Sequence, residues 1–403
     1  MPRTSPPLSS VLPPLICGTA TFNSLYNLDP YALPTTSIVH RALTLGVRAF
    51  DTSPYYGPSE ELVGKALDTP FVHENFRRSD YFLLTKVGRI ADSEFDYSPE
   101  WVRHSIQRSL RRLKTTYLDV VYCHDVEFVS TAEVFAAVRE LRRIRDEEGS
   151  IKYIGISGYP VPVLCELSEN IMRETGEPLD TVLSYANFTL QNTSLSSIGV
   201  ARLSNAGVDV VPNASMLGMG LLRRDGVPVG GKGDWHPAEE GLRFACRNAS
   251  KFCDAYGEKI ECVAIRYAIE TWMQGGSSVG SSGDPLFKAP LGCKAGGLGL
   301  GRRLGVSVMG CSSVEELEET MRLWQNILDG LEGGEQIAIA AGRWKGSHEW
   351  SRAKRKEISL LTIGIREVLG EWVDHVWPSP RPGYVNERSP VSRKAEMQKE
   401  SST

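Results

Sequence analysis

No apolar run in this chain reaches the roughly 18 residues needed to cross a bilayer, so nothing in it reads as membrane-spanning. Positive charge is not in excess: 45 Lys and Arg stand against 49 Asp and Glu, a net charge of −4. That balance excludes the basic footprint of a nucleic-acid-binding protein. Cysteine is sparse, 8 in 403 residues. None forms a Cys-x-x-Cys pair, which argues against a zinc site, and no metal is expected. Cys17, Cys123 and Cys311 lie on or beside apolar strand-like runs, and Cys165, Cys246, Cys253 and Cys262 lie in helical patterns. Buried free thiols in a reducing cytosol are the expectation. The opening Met1-Pro-Arg-Thr-Ser-Pro-Pro7 lacks the apolar core of a signal peptide, so a cytoplasmic location is expected. Two nucleotide-binding signatures are also missing. No Rossmann glycine fingerprint follows the first strand-like run, and no Gly-Lys-Ser/Thr follows the glycines near 275–301.

What is present fits one large folded unit. The chain is 41% hydrophobic and 23% charged, ordinary for a globular protein with a sizeable core. Strand-like runs occur at Leu15–Thr19, Val47–Asp51, Tyr81–Lys86, Leu118–His124, Ile151–Ser157, Thr181–Tyr185, Val208–Pro212 and Val306–Gly310. They are continuous apolar runs, as expected of strands buried on both faces. The segments between them carry helical spacing. The clearest is Trp101–Leu113, opened by Ser98-Pro99-Glu100 as cap, first-turn proline and first-turn acid. Alternation of strand and helix predicts an α/β fold, a (β/α)8 TIM barrel over residues 11–380, with a doubly wound open sheet as the competing layout. Two regions break the pattern. Residues 275–303 are rich in Gly and Ser and read as a disordered insertion before the last strand. Residues 381–403 are polar and read as a disordered tail after a C-terminal extension.

The chemistry collects at the ends of strand-like runs. Asp51 ends the run that begins at Val47, and Tyr56-Gly57 follows in a tight loop before Ser59-Glu60-Glu61 opens a helix. Lys86 ends the next run and His124 the one after. An acid, a phenol, an ammonium and an imidazole at successive strand ends make a proton-transfer set, and barrel enzymes place their sites at those ends. Oxidising an alcohol requires a base for the hydroxyl proton. A tyrosine of pKa about 10 is a weak base near neutrality, but a neighbouring ammonium favours its phenolate. Lys86 can supply that ammonium, Asp51 can hold and charge it, and His124 can donate a hydrogen bond to the substrate oxygen. Tyr55 is a rival phenol next door.

The motif Phe50-Asp-Thr-Ser-Pro-Tyr-Tyr-Gly-Pro-Ser-Glu60 resembles the signature of the aldo-keto reductases around their Asp and Tyr. Thr85-Lys-Val-Gly88 resembles their Lys strand, and Val121-Tyr-Cys-His-Asp125 their His strand. The likeness runs from about Leu15 to Leu328, interrupted by the Gly/Ser-rich segment. Within the family the chain looks most like the fungal and plant sugar dehydrogenases, the D-arabinose and L-galactose 1-dehydrogenases. The resemblance assigns the catalytic roles to Asp51, Tyr56, Lys86 and His124, choosing Tyr56 because the family's tyrosine directly precedes the glycine.

The resemblance also implies a nicotinamide cofactor, NAD with NADP as the alternative. Gly18 and Thr19 fall among the implied cofactor contacts. Ser157 matches half of the family's carboxamide clamp, while Gly158 stands where the family has Asn. Ser184 replaces the family's Gln, and Asn213-Ala-Ser215 follows the sugar-dehydrogenase branch. Leu217 and Gly218 are implied backbone contacts to the pyrophosphate. Gly310, Ser312 and Ser313, at a helix N-terminus, suit a phosphate. Glu316 falls where NADP-dependent relatives have Arg, Glu319 keeps the family's acid, and Thr320 stands near the adenine position. Phe22, Tyr55, Phe128, Phe188 and Trp377 are the expected substrate walls.

The reading is an NAD-dependent aldose 1-dehydrogenase that converts a small-molecule sugar to its lactone, as a monomer or homodimer without nucleic-acid or membrane partners. An NADP-dependent aldehyde or ketone reductase is the enzymatic rival. A nucleotide-binding sensor or channel-associated subunit is the rival of another class.

Overall fold

The computed structural model describes residues 5–227, 233–283, 303–335 and 346–387. Its centre is a closed barrel of eight parallel strands in sequence order, which excludes the open doubly wound sheet. The strands are β1 Leu15–Gly18, β2 Ala49–Asp51, β3 Phe82–Val87, β4 Leu118–His124, β5 Ile151–Gly158, β6 Thr181–Tyr185, β7 Asn213–Ala214 and β8 Ser307–Gly310. Strand β8 closes on β1, with Leu15 opposite Ser307 and Gly18 opposite Gly310.

Both faces of each strand are apolar because both are covered. Ile16, Ala49, Leu84, Val120, Tyr122, Leu183, Val306 and Val308 fill the barrel interior. Their alternates, among them Phe50, Leu83, Val121, Ile154, Ile156 and Val182, meet the surrounding helices. Helix Pro99–Arg112 shows the local logic. Ser98 Oγ accepts the Trp101 N–H at 3.3 Å, and the helix buries Trp101, Val102 and Ile106. Burying Val102 and Ile106 stabilises by about 1.5–3 kcal/mol each, and losing the Ser98 cap costs about 1 kcal/mol.

The seventh strand is shorter and later than its apolar run suggested. Pro212 has no N–H for the ladder. Val211 donates its N–H instead to Val279 O at 2.7 Å, and Val210 keeps only an isolated bridge to Thr181.

That Val279 contact corrects the insertion boundary. Residues 275–283 do not stand apart from the barrel: Val279 is fully buried and Ser281 forms a bridge with Leu304. Ser281 Oγ lies 2.8 Å from Ser9 O and 2.5 Å from Leu12 O, tying this segment to the N-terminal plug. Leu8 and Leu12 of that plug close one end of the barrel interior. Polar composition misled here because a serine with buried backbone acceptors packs as firmly as an apolar residue. The remainder, 284–302, lies outside the described residues.

The tail boundary also moves. Helix Ser347–Leu369 packs Ile358, Leu361 and Ile365 against Leu242, Cys246 and Ala249 of helix Glu240–Ala255. The chain then crosses the end of the barrel where the strands finish, with Ser379 on Glu127 and the Trp377 N–H on Tyr159. Residues 381–387, expected to be disordered, are docked: Asn386 exchanges hydrogen bonds with the backbone N and O of Phe95 (2.9 and 3.0 Å). Tyr384 packs edge-on against Phe95 and Phe128. Residues from 388 onward lie outside the described residues. No helix among the described residues is long and apolar enough to cross a membrane.

Candidate active site

The loop after β2 is built by hydroxyls and one glycine. Thr19 donates both its backbone N–H (2.8 Å) and its hydroxyl (2.9 Å) to Asp51 O. Ser59 Oγ reaches Thr19 Oγ1 at 2.7 Å and Thr52 Oγ1 at 3.0 Å. Gly57 sits at φ 56°, a conformation L side chains resist, which is why the loop carries glycine after Tyr56. These bonds fix the carboxylate of Asp51 and the ring of Tyr56 over the strand ends.

There the expected four side chains meet. Lys86 Nζ donates to Asp51 Oδ1 at 2.7 Å and to Thr52 O at 2.9 Å, all in buried surroundings. The same ammonium lies 4.7 Å from the centroid of the Tyr56 ring. His124 meets that ring edge-on, with centroids 5.7 Å apart. Each group is strongly displaced from its behaviour in water. Burial opposes the charge on Lys86, but Asp51 and Tyr56 outweigh it and hold its pKa above the ordinary value. Burial lifts Asp51, and Lys86 pulls it back down in part. Burial, aided by the cations Lys86 and Arg89, drives His124 well below its usual pKa, so the imidazole is neutral near pH 7. Tyr56 departs from expectation. Lys86 does favour its phenolate, yet burial outweighs it and leaves the pKa above 10.0.

The rival phenol is occupied elsewhere. Tyr55 OH donates to Asp92 Oδ1 at 2.6 Å and accepts from Arg89 Nη2 at 3.0 Å, while the Arg89 guanidinium stacks 3.8 Å from its ring. Arg89 also pairs with buried Asp125, a non-glycine residue at φ 56° directly after His124. Nothing in the sequence distinguished this Arg89–Asp125 pair.

Among the residues expected to hold a cofactor, Asn213 is the most telling. Its Nδ2 donates to Phe188 O at 2.9 Å, while its buried Oδ1 has no partner among the described residues. A carbonyl oxygen left open at a strand end fits a carboxamide donor. Ser157 is buried two strands away on β5, its Oγ on Cys123 O at 3.3 Å. Gly158 lacks a side chain because Glu127 fills that space: a Cβ there would come within 2.5 Å of Glu127 Oε2. At the end of β8, Ser313 Oγ caps helix Val314–Asp329 by accepting the Glu316 N–H at 3.2 Å. The Glu316 carboxylate folds back onto the Ser312 N–H at 2.7 Å, a negative group already seated where the helix start attracts anions. Gly310 lies exposed beside them. The loop Ser215–Gly220, with Leu217 and Gly218, is anchored by buried His236, whose Nε2 lies 3.1 Å from Gly218 O. His236 Nδ1 accepts the Ala238 N–H at 3.0 Å, so its proton sits on Nε2.

Several expected contacts are engaged elsewhere. The Thr19 hydroxyl serves the β2 loop, so only its neighbour Gly18 faces the β8 end. Ser184 Oγ accepts from Asn187 at 2.9 Å. Glu319 is exposed and accepts from Cys262, and Thr320 is buried within the helix layer. Among the expected substrate walls, Phe22 and Phe188 are core residues. Phe188 packs against Tyr267 and Trp272 rather than the mouth. Tyr55 does face His124, with centroids 5.8 Å apart. Phe128 stacks on Phe95 at the rim, and Trp377 stacks on Tyr159 at 4.5 Å. Sequence reasoning missed Tyr26 and Trp235. They meet edge-on at 5.5 Å, joining the loops that follow β1 and β7. Aromatic residues in long loops carry no periodic signal, so nothing marked them.

A model of the aldo/keto reductase family matches residues 14–331. The chain is 42% identical over 268 residues, 66% of its own length and 78% of the relative's, to D-arabinose 1-dehydrogenase of Saccharomyces cerevisiae. It is 37% identical over 234 residues, 57% of its length and 68% of the relative's, to L-galactose dehydrogenase of Arabidopsis thaliana. Among solved structures it is similar to an aldo-keto reductase from Bacillus halodurans in its holo form, with a TM-score of 0.52 at 18% identity, covering 77% of this chain and 86% of that one. That last likeness concerns the fold alone.

Proposed function

Because the chain belongs to the aldo/keto reductase family, and is therefore an oxidoreductase, we propose that it is an NAD-dependent aldose 1-dehydrogenase of the D-arabinose or L-galactose type. The observation that carries the reading is the buried Asp51–Lys86 pair beneath Tyr56, with neutral His124 at the ring's edge. When bound, the nicotinamide ring supplies the acceptor for the hydride that leaves the anomeric carbon. Tyr56 takes the proton of the anomeric hydroxyl, and the C1–O1 bond becomes the carbonyl of an aldonolactone. Lys86 stabilises the phenolate form of Tyr56 that accepts this proton. Asp51 keeps Lys86 charged and in place. His124 donates a hydrogen bond to the reacting oxygen and orients it.

Support for a sugar comes from the two named relatives, both dehydrogenases of sugars. Support for NAD comes from Glu316. Its carboxylate on the Ser312 N–H would repel a 2′-phosphate and can accept from a ribose hydroxyl. Asn213, Ser157, Gly310 and Ser312 are the residues we propose hold the cofactor. The reading is tested by turnover of D-arabinose and L-galactose with NAD and with NADP. Faster turnover with NAD is expected. Reduction of simple aldehydes with NADPH, and no oxidation of either sugar, would replace the reading with that of a general reductase.

A further inference from the structure

We propose that Ser53 is a positioning residue that fixes the tautomer of His124, placing its proton on Nε2 and aiming it at the substrate oxygen. The proposal rests on the reading of His124 as hydrogen-bond donor to that oxygen. Nothing in the sequence marked Ser53 beyond its place between Asp51 and Tyr56.

The geometry is closed on one side of the ring. Ser53 is fully buried, and His124 is 5% exposed. Ser53 Oγ lies 3.1 Å from His124 Nδ1 and accepts the Tyr55 backbone N–H, also at 3.1 Å. No other acceptor for the Ser53 hydroxyl proton lies in reach among the described residues. If Nδ1 carried the proton, Ser53 Oγ would accept twice and its own O–H would be buried without a partner, which native interiors avoid. With the hydroxyl donating to Nδ1, every group on that side is satisfied.

The other side of the ring agrees independently. Nε2 lies 3.6 Å from Asp125 Oδ2. An N–H facing a carboxylate is favourable, whereas a lone pair facing it is not. Asp125 is held in that place by Arg89 and by its own left-handed backbone at φ 56°. Nε2 makes no direct hydrogen bond among the described residues, so it stays open to a substrate oxygen. The ring is thus set from two elements: the loop after β2 supplies Ser53, and the turn after β4 supplies Asp125.

The test is ¹⁵N NMR of the full chain, labelled in its 7 histidines, near neutral pH and without substrate. His124 is assigned by its disappearance in His124→Asn. The tautomer is read directly, so the result does not depend on which sugar or cofactor the enzyme uses. In wild type, Nδ1 should show the shift of an unprotonated, hydrogen-bonded nitrogen and Nε2 that of an N–H. In Ser53→Ala the Nδ1 signal should move toward a tautomer mixture. kcat should fall about 3- to 30-fold while the cofactor Kd stays within about twofold, since a misplaced proton removes an interaction needed in the transition state. Ser53→Thr, which keeps the hydroxyl, should recover the wild-type tautomer. A wild-type spectrum with the proton on Nδ1 overturns the proposal whether or not any variant folds. So does a Ser53→Ala protein that loses kcat while keeping the wild-type tautomer, which would trace the loss to the Tyr55 backbone.

Discussion

Replacing Lys86 with Met would remove one ammonium and expose how much depends on it. Its Nζ stands 2.7 Å from Asp51 Oδ1, 2.9 Å from Thr52 O and 4.7 Å from the Tyr56 ring centroid. Two separable losses follow. The first is stability. Asp51 is 4% exposed and its second oxygen has no partner among the described residues, so without Lys86 its charge is buried alone. Breaking a buried pair from one side costs about 3–5 kcal/mol, a large share of a domain's total. Protonating Asp51 relieves that cost, so Lys86→Met should lose less stability in acid than at neutrality. The second loss is catalytic. Burial already holds Tyr56 above its ordinary pKa with Lys86 in place. Without the ammonium the phenol ionises still less readily, and kcat should fall about 10²–10⁴-fold. Urea unfolding and kcat against pH would be measured on wild type, Lys86→Met and Asp51→Asn/Lys86→Met. The double variant should regain most of the stability, because no lone charge remains, and none of the activity. A Lys86→Met enzyme that keeps more than about a tenth of wild-type kcat near pH 7 would refute the assignment of Lys86 to the proton step.

Tyr56→Phe should remove nearly all turnover, about 10²-fold or more, while Tyr55→Phe costs far less because its hydroxyl is spent on Asp92 and Arg89; equal losses would argue against the choice of Tyr56. Glu316→Arg should shift relative affinity toward NADP by about 1–3 kcal/mol, the range of a hydrogen bond to a charged group, as measured by dissociation constants in low salt. Ser281→Val should lower the unfolding midpoint, because Leu12 O loses its hydroxyl donor while Ser9 O keeps the Ser282 N–H; unchanged urea denaturation would mean the plug holds without it. Glu127 gives a pH signature. Burial, with Asp125 adding to it, pushes its carboxyl from 4.5 up to about 8. Between those values the folded state holds a proton the unfolded state has lost, so this contribution to stability is complete below 4.5 and disappears as pH rises through about 8. Glu127→Gln should flatten that decline in unfolding free energy measured across the same window.

The barrel was legible because its strands are buried on both faces, which leaves runs such as Leu118–His124 unmistakably apolar. The meeting of Asp51, Tyr56, Lys86 and His124 was legible for a related reason. A lone polar residue ending an apolar run, as Asp51, Lys86 and His124 do, has no core role to explain it. Phe22 and Phe188 pack in the core, which the sequence did not show, because an aromatic next to a strand end looks the same whether it turns toward the mouth or into the helix layer. Val279 and Ser281 were missed because glycine and serine around them dilute the apolar signal, although their burial comes from pairing with Val211, Ser9 and Leu12. Asn386 and Tyr384 lie in a polar stretch whose few docking contacts have no period to detect. Ser53 meets His124, and His236 meets Gly218, across 71 and 18 residues of chain, and such pairings leave no trace in a single sequence.

The central claim is that this enzyme moves a hydride from C1 of an aldose while Tyr56 takes the hydroxyl proton. D-Arabinose deuterated at C1 tests it most directly. Incubated with NAD and the wild-type protein, it should yield deuterium on the reduced cofactor together with the aldonolactone, both seen by mass spectrometry. The Tyr56→Phe protein should bind NAD as before and give neither product. Reduced cofactor without deuterium, or undiminished label transfer by Tyr56→Phe, would contradict the account.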